Sequence, residues 1–254
     1  MGAEFRTLHP NDACKHSSMM TPTLDDDLDR YYAEHYDSVV HSGAGGAVQR
    51  AFHVAVERPW SAAHEFPMVL ELGATRGEHL EFVRHRFSRY TMVDIRDSVG
   101  ARDMAVRASR PEATVEFIVA DAQDLAVIAD ASVDRLISMC LLHHLDDPRR
   151  SLQHWRRVVK PSGVLSIFVP CDPGLLWRVG RAATTFRTAQ AKGYSSLGIR
   201  YINACDHRNH VASLRWMIEG VFASDELSIR RFPFGPLDSW NANLFLTFQI
   251  RKGA

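Results

Sequence analysis

The residues able to do chemistry stand where apolar runs of this sequence end. The stretch VLELGATRGEHLEFV is a buried strand, a glycine-bearing turn and a helix start, which brings backbone amides up to a ligand at the carboxyl edge of a sheet. Gly73 and Gly77 permit positive φ and leave no Cβ between main chain and ligand; a plain strand-to-helix turn needs the same freedom. The next apolar run ends in Asp94, 21 positions after Gly73, where a carboxylate accepts both hydroxyl hydrogens of an adenosine ribose. The run after it ends in Asp121, suited to the adenine amino group while the neighbouring amide of Ala122 serves a ring nitrogen. A helix N-cap is the competing reading, better met by Asp97 than by Asp94, and an Asx-turn competes at Asp121. Three such features in successive units are far less expected by chance than any one of them.

A second set follows the fourth apolar run. His143 and His144 lie on the edge that faces a ligand in an open α/β sheet and are candidate general bases. The alternative is a structural imidazole orienting the loop before Asp146 and Asp147. His207 and His210, in CDHRNH, offer a further candidate base and a candidate substrate contact. Their H-x-x-H spacing suits a metal, but no nearby carboxylate or cysteine set completes a site, so no metal is expected. Between Cys171 and Arg231 nine Arg or Lys face five acids, which makes this segment basic in a neutral protein. Arginine forms paired hydrogen bonds with phosphate or carboxylate, so an anionic substrate held by some of Arg178, Arg200 and Arg208 is expected, against the alternative of a solvated helix face. Tyr194, Tyr201, Trp177 and Trp216 add aromatic surface that can stack on a ring, with core packing expected for Trp216.

These residues need a scaffold of alternating strands and helices. Short apolar runs at 68–72, 90–93, 115–119, 135–139 and 164–169 alternate with helical stretches at 77–86, 102–108 and 149–159, the pattern of a parallel sheet built from βαβ units. The turn Lys160-Pro161-Ser162-Gly163 ends the last of those helices. Past Pro170 about 40 residues intervene before a helix near 208–222, and strands at 228–232 and 244–250 suggest an antiparallel hairpin at the sheet edge. Upstream, DDDLDRYYAEHYDSVV has acids first and then Leu28, Tyr31, Tyr32 and Tyr36 at helical spacing. A Gly-rich turn at 42–46 separates it from a second helix that ends near Pro59. The expected organisation is a loose leader at 1–24, lid helices at 25–60, and a main domain at 61–254 with a cap insertion at about 171–210.

A chain of 254 residues can bury a full core. Lys plus Arg balance Asp plus Glu at 30 each, so no global field favours nucleic acid or an anionic membrane. Cys14, Cys140, Cys171 and Cys205 form no C-x-x-C pair, which suits a reducing cytoplasm, and no apolar run approaches a membrane span or a secretory signal. A monomer or homodimer acting on a small molecule is expected, with no nucleic-acid partner.

In the order of these features the chain resembles the class I S-adenosylmethionine-dependent methyltransferases over roughly 31–169, with a weaker match in the last two strands. The family's acidic-x-Gly-x-Gly-x-Gly signature corresponds to Glu71, Gly73, Thr75 and Gly77, its ribose acid to Asp94 and its adenine-side acid to Asp121. The stretch SVDRLISMCLLHHLDDPRRSLQHWRRVVKPSGVLSI is similar to the family's fourth strand, following helix, Lys-Pro turn and fifth strand. The resemblance implies an α/β Rossmann-like fold: a mostly parallel seven-stranded sheet with an antiparallel edge hairpin and helices on both faces. It also implies S-adenosylmethionine as cofactor and S-adenosylhomocysteine as its product, Ile95 packed on adenine, and Cys140 and its neighbours lining the methionine moiety. Tyr31, Tyr32 and Tyr36 are similar to an N-terminal lid whose phenol reaches the cofactor carboxylate; packing of a helix face is the alternative. Thr75 departs from the family's central glycine, so either it sits in an ordinary backbone region or cofactor affinity suffers.

The expected reaction moves a methyl group to an O or N atom of a small metabolite, an anionic natural-product or sugar-like acceptor. C-methylation and a catalytically silent cofactor-binding protein are the alternatives. A nicotinamide oxidoreductase is disfavoured because no G-x-G-x-x-G run is present.

Overall fold

The computed structural model describes residues 23–40 and 43–253, so the expected leader falls outside the described residues except for its last two positions. Seven strands form one sheet: β1 (Met68–Leu72), β2 (Arg89–Asp94), β3 (Thr114–Val119), β4 (Val133–Ser138), β5 (Val159–Pro170), β6 (Glu226–Phe232) and β7 (Phe245–Arg251). Their order is β3-β2-β1-β4-β5-β7-β6, with β1 to β5 parallel and β7 antiparallel to both β5 and β6. The mostly parallel Rossmann-like sheet and its antiparallel edge hairpin are therefore as expected. Strand order reverses between β1 and β4, the place where an open α/β sheet leaves a crevice at its carboxyl edge.

The helices are α1 (Leu24–Arg30), α2 (Tyr36–Val40), α3 (Gly43–Glu57), α4 (Val99–Ala108), α5 (Pro148–Val158), α6 (Leu175–Ala183), α7 (Thr185–Ala191), α8 (Ser196–Asp206) and α9 (Val211–Val221), with a π-helical turn, Tyr31–His35, joining α1 to α2. Their starts follow from local chemistry. Asp147 caps α5 by accepting from the Arg150 amide, with Pro148 in the first turn where its missing N–H costs nothing. Ser98 caps α4 through the Ala101 amide, and Thr23 and Asp26 form a capping box at α1. On one sheet face Leu152 and Trp155 of α5 pack with Leu214 and Ile218 of α9. The other face is covered by Phe52 and Val56 of α3 and by Ala101 and Ala105 of α4. No helix among the described residues is long and apolar enough to cross a membrane.

Four expectations are corrected. The helix expected at 77–86 is a single 3₁₀ turn, Glu78–Phe82, because Val83 is already extended and the chain returns to the sheet edge through the bridge between Glu65 and Arg86. The residues expected as a turn at 160–163 belong to β5, which passes an irregularity against β4 with Ser162 at φ 63°. The glycines expected as a turn at 42–46 open α3 from Gly43 onward, where the docked apolar face of the helix outweighs glycine's poor propensity. Trp216, expected in the core, is 64% exposed on α9.

A buried polar network fastens α3 to the sheet. Arg135 of β4, with no exposed surface, donates to both carboxylate oxygens of Glu57 at 3.0 and 2.7 Å and to Ser166 Oγ at 3.2 and 3.1 Å. Ser166 donates to Gln249 of β7, whose amide returns to the Val56 carbonyl. Burial pushes the Glu57 carboxyl up, but Arg135 and His79 hold it down at about 2. Removing one member of such a pair leaves an uncompensated buried charge. Arg135→Met is therefore expected to destabilise the protein by about 3–5 kcal/mol in urea unfolding, with part of the loss recovered in the Arg135→Met/Glu57→Gln double variant. A loss below about 1 kcal/mol would mean that the pair is not what holds α3.

Candidate active site

A groove of about 830 Å³ runs across the carboxyl ends of β1, β2 and β4. Its floor is the turn after β1, where Gly73 and Gly77 adopt φ 71° and 80°. A Cβ at Gly73 would lie 3.1 Å from the Leu141 side chain, and one at Gly77 would lie 2.8 Å from Met92 Sδ. Conformation and space thus both demand glycine: a side chain at either position would collide with the core beneath the groove. Thr75 resolves the question left by the sequence: at φ 51° it keeps a left-handed conformation despite its branched Cβ, at a steric cost of about 1–2 kcal/mol.

Asp94, at the end of β2, is pinned from two sides. Its Oδ2 accepts from the Thr75 amide and its Oδ1 from the Arg96 amide, both at 3.0 Å. Each oxygen keeps a second lone-pair direction, so the carboxylate can still receive two ribose hydroxyls. Ile95 beside it lines the groove and is 65% exposed. Glu71 also borders the groove, yet it is buried and accepts from the Tyr90 hydroxyl at 2.9 Å. Asp121 and Ala122 follow β3 and do not line the groove. Asp121 accepts from the Gln123 amide at 2.8 Å, as in an Asx-turn, and the Ala122 carbonyl accepts from Trp155 Nε1.

A second, smaller cavity of about 160 Å³ adjoins the groove. Both are bordered by Tyr36, Gln49, Cys140, His144 and Asp206, so the two spaces meet at the carboxyl end of β4. Cys140 sits there at φ 47°, and burial pushes its thiol up to about 12, so it stays protonated. Tyr31, Phe52 and Trp177 give the small cavity aromatic walls. Burial pushes the Tyr31 phenol up to about 12.

The polar wall of the small cavity draws on two separate loops. The 3₁₀ turn after β4, Leu142–His144, carries His143 and His144, and the end of α8 supplies Asp206 and His207; Asp172, two residues past β5, touches His207 without lining the cavity. Asn209 ties the two loops together by donating to the His143 and Leu145 carbonyls. His144 Nδ1 lies 2.9 Å from Asp206 Oδ1, and His207 Nδ1 lies 2.6 Å from Asp172 Oδ2. Burial, then His144, His207 and Arg181, push the His143 imidazole well below its usual range. Burial also lowers His207, against the pull of Asp172. Burial would raise the Asp172 and Asp206 carboxyls, but their histidine partners hold both below the usual carboxylate range.

Among the expected contacts, the structure brings together Tyr31, Tyr36, Cys140, His143, His144 and His207. Arg208 lines the groove and pairs with Asp146. Arg178 and Arg200 are exposed and line neither space, and His210 stands exposed at the start of α9. Tyr194 is buried against Tyr31 and bonds to His35, while Tyr201 bonds to Asp25 of α1. Arg181, Asp172 and Asp206 were not singled out in the sequence. The signal for Arg181 was present: it follows Trp177 by four residues, on the same face of α6.

Residues 70–167, from β1 to β5, match a methyltransferase domain family. The chain carries a methyltransferase domain over these residues. Human thiol S-methyltransferase TMT1B is 41% identical over 49 residues, 19% of this chain and 20% of that protein, so the match spans only a fifth of the relative. Phosphoethanolamine N-methyltransferase 2 of Haemonchus contortus, solved with S-adenosyl-L-methionine, superposes with a TM-score of 0.60 at 13% identity over 92% of this chain and 61% of that one. The 1,6-didemethyltoxoflavin-N1-methyltransferase of Burkholderia thailandensis, solved with S-adenosylhomocysteine, gives 0.53 at 17% identity over 97% of this chain and 99% of that one. Likeness at these identities is likeness of fold.

Near the end of β1, Glu71 has a clear pH signature. Burial pushes the Glu71 carboxyl from 4.5 to about 7, against His79 and the Tyr90 hydrogen bond, which pull it down. Between those two pH values the native protein holds a proton that the unfolded chain has released, so this group's contribution to stability falls as pH rises. Glu71→Gln is expected to flatten that fall in urea unfolding of the ligand-free protein from pH 4.5 to 7. Identical slopes for the two proteins would show that Glu71 titrates normally.

Proposed function

We propose that this protein transfers the methyl group of S-adenosylmethionine to an O or N atom of a small, anionic acceptor held in the cavity beside the groove. The observation that carries this reading is the junction of the two spaces at Cys140, His144 and Asp206. A cofactor laid along the groove has its reactive end at that junction, and an acceptor in the small cavity faces it. In this reading Gly73, Thr75, Asp94 and Ile95 hold the adenosine, Gly77 shapes the turn beneath it, and Asp121 and Ala122, which stand outside the groove, do not take part. Glu71 supports the turn from below, and Cys140, Tyr31 and Tyr36 border the methionine end.

The bound sulfonium supplies an already activated methyl group. The protein's task is then to align the acceptor and keep water out. The N-terminal helices act as a lid and the 171–210 segment as a cap: Tyr31 packs with Tyr194, Ile199 and Ile202 in one apolar cluster. The wall formed by His143, His144, His207 and the Asp206 carboxylate faces the acceptor's reacting atom, and the proton of an O–H or N–H acceptor leaves toward Asp206. Arg181 replaces Arg178 and Arg200 as the cation that meets the acceptor's anionic group, because it lines the cavity and they do not.

The test is a screen of hydroxyl- and amine-bearing small acids and phosphates with S-adenosylmethionine, read by mass spectrometry as formation of S-adenosylhomocysteine and a singly methylated product. Arg181→Gln is expected to raise KM for an anionic acceptor about tenfold while leaving S-adenosylhomocysteine affinity unchanged. Tight cofactor binding without turnover of any acceptor would favour a silent binding protein. An unchanged KM would remove the anionic acceptor from the account.

A further inference from the structure

The wall of the small cavity holds more imidazole than a single proton transfer requires. One ring nitrogen from each of His143, His144 and His207 lies within 4.8 Å of the corresponding atom of the other two. Their ring centroids are 3.9 Å apart for His143 and His144, 4.5 Å for His143 and His207, and 5.2 Å for His144 and His207. The three are not interchangeable core histidines stacked for packing. His207 Nδ1 is held by the Asp172 carboxylate, and His144 Nδ1 lies 2.9 Å from both the main-chain carbonyl and the carboxylate of Asp206, which turns the Nε2 side of each ring away from these Nδ1 partners. His143 Nδ1 is buried and has no hydrogen-bond partner.

We infer that His143, His144 and His207 form a binding site for a divalent transition-metal ion, zinc first, set in the wall of the cavity that faces the acceptor. The inference deepens the proposed function, since it rests on the reading of that cavity as the acceptor's. Four observations converge on it. The donors are imidazoles, the ligand type suited to zinc, iron, nickel and copper. A carboxylate on the far nitrogen of a ligating histidine fixes its ring orientation and raises its basicity, the usual outer partner of a zinc-bound imidazole. The orphaned His143 nitrogen is a buried polar atom that a cation would satisfy. The fixed charges nearest the trio are the Asp172 and Asp206 carboxylates against the one guanidinium of Arg181, so the surroundings are net negative before an ion enters.

The geometry asks for a modest adjustment. Nitrogens bound to one tetrahedral zinc lie about 3.4 Å apart, so side-chain rotations bringing these atoms together by an ångström or so would close the site. Asp206 Oδ2 lies 3.8 Å from His207 Nε2 and borders the same cavity, so it stands beside any ion placed there. Three protein nitrogens leave the fourth position of a tetrahedral ion open, as in metal sites that act on a bound molecule, and an oxygen or nitrogen donor of the acceptor is the group able to fill it. The sequence led to the expectation of no metal, because it offered only His207 and His210 as an H-x-x-H pair; in the fold His210 lies exposed at the start of α9, and His207 instead joins two residues 63 and 64 positions earlier in the chain.

The full-length protein, stripped with a chelator and dialysed, is titrated with Zn²⁺ and, separately, with Co²⁺, and bound metal is read by elemental analysis and by the visible absorption of tetrahedral Co²⁺. One ion per chain is expected, with a Co²⁺ spectrum of nitrogen-rich tetrahedral coordination. His144→Gln and His207→Gln are expected to lose stoichiometric binding. Asp172→Asn, which keeps all three imidazoles and only loosens the orientation of His207, is expected to weaken binding about 10–100-fold. It serves as the decisive variant if a histidine substitution fails to fold, as judged by circular dichroism. Absence of a bound ion, or binding that none of the variants changes, would overturn the inference. S-adenosylhomocysteine affinity, measured on the same samples, separates the two claims: protein that takes up no ion on titration yet binds the cofactor and methylates an acceptor removes the metal alone. Metal binding without turnover removes the acceptor reading instead.

Discussion

The reversal of strand order between β1 and β4 is the constraint on which the rest of the molecule depends. Chains leaving these two adjacent strands run to opposite sides, so no loop fills the space above them and a crevice opens at the carboxyl edge. The floor of the groove is placed by that edge. Gly73 leaves β1, Asp94 ends β2, and Cys140 stands just past β4. The cost is local: Gly73 and Gly77 are spent where no Cβ fits, and Thr75 and Cys140 are held at positive φ.

The helices around the crevice need their own attachment, because α3 contributes both a face to the core and a wall to the small cavity through Phe52. The Glu57–Arg135 pair supplies it from beneath, far from the crevice mouth but continuous with β4, β5 and β7 through Ser166 and Gln249. On the other side Asn209 binds the loop after β4 to the end of α8. His144 and His207 are thereby held by two carboxylates drawn from different loops. The small cavity that these two histidines border is also walled by the aromatic side chains of Tyr31, Phe52 and Trp177.

The parallel strands were legible because strands buried on both faces read as unbroken apolar runs, and β1 shows this directly in Val69, Leu70 and Leu72. Asp94 and the two glycines were legible because their roles belong to the ends of such strands. The 3₁₀ turn after Gly77 was read as a longer helix, since apolar spacing does not reveal that the chain turns back to pair Arg86 with Glu65. Arg135 gave no sign of burial: a charged residue in a strand suggests a solvent face until its partner 78 residues earlier is known. The same distance in sequence hid the histidine wall. His143 and His144 stand together in the chain, but Asp172 and His207 reach them only through loops that the fold brings to one edge. Among the arginines, composition identified a basic segment, and only the packed helix face distinguishes Arg181 from its exposed neighbours.

The claim beneath all of this is that the groove above β1 and β2 is the cofactor site and that Asp94 holds the ribose. Calorimetric titration of S-adenosylhomocysteine into the wild-type protein and into Asp94→Ala tests it most directly. The account predicts one site per chain in the wild type and an affinity at least about a hundredfold weaker in the variant, the expected loss for two hydrogen bonds to a charged acceptor. Equal affinity in the two proteins would contradict it.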